Sequence, residues 1–342
     1  MTRHHLWTAA KYAVGLGLLS WVVAKNWHGL EEAFQRPIHW GPFALALTLF
    51  SLAVALTFVR WFVLVRAQEL PFTVGQAIRL GWVGLFWSTF LPGSIGGDIF
   101  KAVFLAREQS RRTVAVATVL FDRIIGLWGL FWLVGLLGAL FWLIGDPAVL
   151  ASANLRWVVG TALTVVAGSL AAWTGLGLLP DRRANRLAHR LSLLPKVGPS
   201  LAEAWRAAWM YRRKGRQVFL ALGLSLVAQV GFVCTFYLSA RTLLEPDVVP
   251  SLREHFLVVP IGMVVQALSP TPGGVGIGEL SFGGLYLLLG REAKLGEIGS
   301  LVQRVITWVV GLVGYMVYLQ AKPAWTSADA KLDMPVMADE AS

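Results

Sequence analysis

Read from its first residue, the chain alternates long apolar runs with short polar interruptions. LWTAAKYAVGLGLLSWVVAK, PFALALTLFSLAVALTFVRWFVLV, TVLFDRIIGLWGLFWLVGLLGALFWLIG and QVFLALGLSLVAQVGFVCTFYLSA each reach the roughly 20 residues that cross a hydrocarbon core of about 30 Å. Such runs must be helices, because lipid offers no partner for an open backbone N–H or C=O. Four other apolar stretches, 78–91, 98–105, 255–269 and 279–290, are too short for a comfortable crossing. They come in pairs, and a glycine-proline break divides each pair. Stretches of about 10 to 14 apolar residues are typical of re-entrant segments. The pattern therefore predicts an all-α polytopic membrane protein with six full transmembrane helices and two re-entrant helical hairpins.

The two breaks resemble each other. The first reads PGSIGGD, with Pro92, Gly93, Gly96 and Gly97 before Asp98; the second reads PGGVGIGE, with Pro272, Gly273, Gly274, Gly276 and Gly278 before Glu279. Each precedes a span that carries an arginine inside apolar sequence, Arg123 in FDRIIGLW and Arg304 in VQRVITWV. Arg123 follows Pro92 by 31 residues and Arg304 follows Pro272 by 32. This predicts an internal repeat, about 43–144 and about 217–320, within one transmembrane domain over 1–326, followed by a disordered tail over 327–342. Three full crossings separate corresponding points of the two halves. An odd number inverts the second copy, the plan by which secondary transporters place substrate at a repeat interface.

Composition agrees with the pattern: 56% of residues are hydrophobic, 14% are charged, and the 16 Trp suit interfacial belts. Mean hydropathy is +0.63. The net charge of +11 is concentrated in a loop over 181–216, so nucleic acid is not the expected partner. Positive charge marks that loop as cytoplasmic and places both termini inside. Within it, leucines and tryptophans recur every four residues, as in PSLAEAWRAAWMYRR. Two interfacial helices resting on an anionic cytoplasmic leaflet would account for this, and topology control by charge alone would do so equally. The first run lacks a convincing cleavage site and reads as a retained span. A single cysteine, Cys234, excludes an intrachain disulfide, and the six His show no metal spacing. GGVGIG has no strand-turn-helix context and SIGGDIFK lacks the Walker ending, so neither cofactor nor metal is expected.

Charge inside a bilayer is costly, which makes intramembrane ionisable groups functional candidates. Here they are Asp98, Lys101, Asp122, Arg123, Glu279 and Arg304. Arginine offers a permanently charged planar fork that suits phosphate, so Arg123 and Arg304 lead the substrate-binding set. Asp98 and Glu279 would cap half-helices, bind a cationic amine, pair with an arginine or carry a proton. Gln303, with Gln229, Gln266, Ser94, Ser269 and Thr271, would complete the lining. On the purely structural alternative, these charges neutralise partners on neighbouring helices and the glycines allow close helix packing.

FLPGSIGGD, FDRIIG and LSPTPGGVGIGE resemble the membrane domain of lysylphosphatidylglycerol synthases, the flippase-like family, over roughly residues 6–320. The resemblance implies a lipid translocator that moves a phospholipid or other polar lipid between leaflets of a bacterial plasma membrane. It also implies a separate lipid-modifying enzyme as partner, since the stretch after the last span cannot hold the soluble aminoacyl-transferase domain of full-length synthases. Two other readings stay open: an integral membrane transferase acting on a lipid-linked substrate, with Asp98 or Glu279 as general base, and an ion-coupled transporter of a small solute.

Overall fold

The computed structural model describes residues 37–90, 96–109, 111–146, 152–178, 180–194 and 198–332, with scattered positions between 13 and 31. The described residues form eleven α-helices, two short 3-10 turns and no strand. They are α1 (Trp40–Ala67), α2 (Val74–Phe90), α3 (Gly96–Glu108), α4 (Arg112–Leu143), α5 (Ala153–Leu178) and α6 (Asp181–Ser192). After these come α7 (Gly198–Tyr211), α8 (Gly215–Leu243), α9 (Leu252–Leu268), α10 (Ile277–Leu288) and α11 (Ala293–Leu332).

Five segments are long and apolar enough to cross a membrane: Trp40–Ala67, Arg112–Leu143, Ala153–Leu178, Trp209–Leu243 and Ala293–Gln320. The chain is thus an all-α polytopic membrane protein. The sixth span, expected near the N-terminus, falls mainly outside the described residues, although the positions described between 13 and 31 are helical. At the other end α11 runs on to Leu332, into the stretch expected to be a tail; residues 333–342 lie outside the description.

The four short stretches become α2 with α3 and α9 with α10. Helices of 17, 13, 17 and 12 residues are about 26, 20, 26 and 18 Å long at 1.5 Å per residue, against a core of about 30 Å. Each couple is antiparallel, and its outer ends meet. In the first, Gln76 Nε2 at the start of α2 donates to Glu108 Oε2 at the end of α3 at 3.2 Å. In the second, His255 Nε2 lies 2.7 Å from the Tyr286 hydroxyl. Gly97 lets α2 and α3 close up, because a Cβ there would run into the Gly84 carbonyl and the Ser88 hydroxyl.

The frame around these couples is built crosswise. The most extensive helix contact joins α1 to α8, while α2 packs on α11 and α9 packs on α4. The span following each couple, α4 or α11, therefore packs on a helix of the other couple as well as on α3 or α10 of its own. One buried ionic contact ties the frame together. Arg60 of α1 donates to both oxygens of Asp122 on α4, at 2.7 and 3.1 Å, and to Ser225 Oγ on α8 at 3.0 Å. Beyond the membrane helices, the 181–216 segment folds as α6 and α7, strapped to the frame by Tyr211, whose hydroxyl donates to the Leu64 carbonyl at 2.9 Å. Lys214 donates to Glu69 at 2.8 Å and holds that carboxyl below its usual range.

Candidate functional site

The second break shows how a glycine-proline sequence is held open. Gly273, Gly274 and Gly276 have φ of 53°, 71° and 80°, left-handed values that side chains with a Cβ adopt reluctantly. They end the 3-10 turn Pro272–Gly274 and start α10 afresh at Ile277. Glu279, fully buried, accepts from the Gly276 N–H at 2.7 Å and pairs with Arg304 of α11. The same guanidinium donates to the carbonyls of Gly273 at 3.1 Å and Gly274 at 3.2 Å. Three of the five guanidinium N–H donors are thus spent on the break. Within it Ser269 and Thr271 bond each other, hydroxyl to hydroxyl, at 2.8 Å.

The first break repeats the ionic part of this arrangement. Arg123 Nη1 donates to Asp98 Oδ2 at 2.6 Å across 25 positions of sequence, and Arg304 meets Glu279 across the same 25. Asp98 carries a second cation, Lys101, at 3.0 Å, whose ammonium lies 5.2 Å from the centre of the Trp61 ring. Arg123 also reaches into the other half, donating to the Ala267 carbonyl at the end of α9 at 2.6 Å. Of the expected break residues, Gly96 and Gly97 open α3, whereas Pro92, Gly93 and Ser94 lie outside the described residues.

Between the two couples lies a cavity of about 340 Å³ whose walls come from α1, α2, α3, α8, α9, α11 and the second break. This is within the range of small-molecule sites. Its lining is mixed, with Phe50, Val54, Phe58 and Phe232 among the apolar residues and Lys101, Gln266, Gln303 and Arg304 among the polar ones. Lys101, Arg304 and Gln303 of the sequence-derived set thus converge on one space. Asp98 and Arg123 stand behind it, joined through Lys101 and Ala267 respectively. Asp122 does not join them, because Arg60 occupies both its oxygens. Gln229 is bonded elsewhere through Nε2, which donates to the Gly126 carbonyl at 3.2 Å. Gly278 packs under Gln266, where a Cβ would strike its side chain.

Two participants escaped the sequence reading. Arg60 sits in plain view in TFVRWFVLV, and as an intramembrane cation it required a partner. Ser300 lines the cavity, is 1% exposed, and its Oγ has no hydrogen-bond partner. Its signal is positional: Ser300, Gln303, Arg304 and Thr307 fall at i, i+3, i+4 and i+7, a polar stripe on one face of the helix, and all four line the cavity.

Lys101 and Arg123 share Asp98, and Arg304 pairs with Glu279.

No solved structure matches this chain. A membrane protein of Pyrococcus horikoshii, UPF0104 membrane protein PH1989, is 21% identical over 306 residues, covering 83% of this chain and 88% of the relative. The family described as lysylphosphatidylglycerol synthase TM region matches residues 8–314, a stretch that takes in both glycine-rich breaks, both paired arginines and every helix that lines the cavity. The chain belongs to that family.

Proposed function

We propose that the protein translocates a polar lipid, a phospholipid by preference, whose headgroup passes through the cavity between the two helical couples while its chains stay in the bilayer. The observation that carries this reading is the cavity's mixed lining: Lys101 and Arg304 with Ser300, Gln266 and Gln303, together with aromatic and aliphatic side chains. The two cationic side chains in the lining, Lys101 and Arg304, favour a phosphate-bearing headgroup. Arg123 and Arg304 then act first as braces of the breaks, and Lys101 becomes the cation best placed to meet the headgroup directly. Headgroup transfer in liposomes tests this. Lys101→Gln lowers the protein-dependent rate for a phosphatidylglycerol probe about tenfold, the equivalent of one lost charge-assisted hydrogen bond. An unchanged rate removes Lys101 from the site.

The reading includes a membrane placement: both couples are re-entrant, the halves are related as an inverted repeat, and the cavity sits near the midplane. Support comes from the meeting outer ends, the matched 25-residue ion pairs and the crosswise packing of α2 on α11 and α9 on α4. Single cysteines introduced into a Cys234→Ser background check it. Gly75→Cys and Glu108→Cys, at the outer ends of the first couple, label from one side of the membrane. Asp247→Cys and Glu292→Cys, flanking the second, both label from the opposite side. Labelling of the two ends of one couple from different sides would make that couple a pair of spans.

A further inference from the structure

A second, apolar space opens where α4, α5 and α9 meet, with a volume of about 280 Å³. Leu130 and Val134 of α4, Val158 and Thr161 of α5, and Pro260 and Val264 of α9 define it. Its lining is hydrocarbon apart from the Thr161 hydroxyl and the Trp157 indole N–H, and Trp157, 77% exposed, stands at its rim. Pro260 lies inside α9, where it cannot supply the N–H that would bond the Phe256 carbonyl.

The position of this space along α4 is what gives it meaning. At 100° per residue, positions 123, 127, 130 and 134 fall within one narrow stripe of a helix. Leu130 and Val134 therefore share the face that carries Arg123. α4 and α9 run antiparallel along the seam: Arg123 bonds the Ala267 carbonyl, Leu130 and Val134 border the space with Val264 and Pro260, and Arg253 bonds Asp146 at 3.3 Å at the far end. Leu130 and Val134 lie about 10 and 16 Å from Arg123 along the axis at 1.5 Å per residue. One leaflet's share of the hydrocarbon core is about 15 Å.

We infer that this space is a slot for one fatty-acyl chain of the lipid whose headgroup occupies the ionic site, so that a single lipid lies along the α4–α9 seam. The use of the slot rests on the translocation reading; its occupancy does not. Lipid chains are as apolar as the slot, so filling it draws no hydrophobic driving force and acts through packing. The slot therefore orients the lipid, with its phosphate toward Lys101 at the cavity and its chain held at a fixed azimuth.

Photocrosslinking decides the matter. Full-length protein in liposomes of phosphatidylcholine and phosphatidylglycerol is given phosphatidylglycerol with a diazirine toward the end of one acyl chain. Label concentrates on slot residues about fivefold over the lipid-facing Leu136 and Leu140, which are half exposed, as a packing preference near 1 kcal/mol gives. Thr161→Trp, at an exposed position on the slot wall, brings slot labelling down to the level of that control surface. Label spread evenly over slot and control surface, and unmoved by Thr161→Trp, overturns the inference whatever the transfer rate. Concentrated slot labelling with no lipid transfer leaves the slot standing and removes the translocation reading instead.

Discussion

Glu279→Gln unfolds the second break. The neutral amide leaves Arg304, itself only 7% exposed, without its counter-ion, and replaces the carboxylate oxygens that meet both that guanidinium and the Gly276 N–H. Removing one partner of a buried ion pair costs about 3–5 kcal/mol. The expected result is a large drop in melting temperature in detergent and loss of the monodisperse species. Glu279→Gln combined with Arg304→Met removes both charges and recovers most of that stability, since the orphaned cation accounts for the bulk of the loss. The double variant still lacks the donors that hold the Gly273 and Gly274 carbonyls, so transfer stays abolished. Asp98→Asn behaves differently: Asp98 and Arg123 are about a fifth exposed, so the remaining cations are partly screened and the loss is smaller. Equal destabilisation by the two substitutions would refute the separation of a fully buried pair from a partly exposed one.

Arg60→Leu loses stability on a similar scale, through the frame rather than the breaks. Asp122 is 5% exposed and takes two hydrogen bonds from Arg60; without them a carboxylate stands alone among α1, α4 and α8. The cost is again about 3–5 kcal/mol, read as melting temperature and as the yield of folded protein from membranes. Asp122→Leu added to Arg60→Leu restores folding, and lipid transfer returns with it, because neither residue lines the cavity. Transfer that stays lost in the refolded double variant would place this pair in the transport pathway, contrary to the geometry.

Much of this arrangement could be read from residue order. The matched breaks and following arginines of FDRIIGLW and VQRVITWV pointed to two equivalent units, and the short apolar stretches became the helices of α2 with α3 and α9 with α10. Aspartate to arginine and glutamate to arginine are both 25 apart, so the pairing itself was available from numbering. The bond from Arg123 to the Ala267 carbonyl was not, because a backbone oxygen freed at a helix end carries no side-chain signature. Nor could sequence show that the arginines spend their donors on the breaks: a guanidinium suited to phosphate is equally suited to carbonyls and carboxylates. Asp122 looked equivalent to Arg123 because they are adjacent, yet neighbours on a helix point about 100° apart, and that rotation sends one to Arg60 and the other to Asp98. The polar stripe from Ser300 to Thr307 was legible by period alone.

The most direct test of lipid translocation is the rate at which a membrane-impermeant reagent reaches fluorescent headgroups of inner-leaflet phosphatidylglycerol in liposomes containing the purified protein. The account predicts that inner-leaflet label becomes accessible in proportion to the protein reconstituted, that Lys101→Gln slows this about tenfold, and that the Arg60→Leu/Asp122→Leu variant matches the wild type. Folded protein that leaves inner-leaflet headgroups as protected as protein-free liposomes do would contradict it.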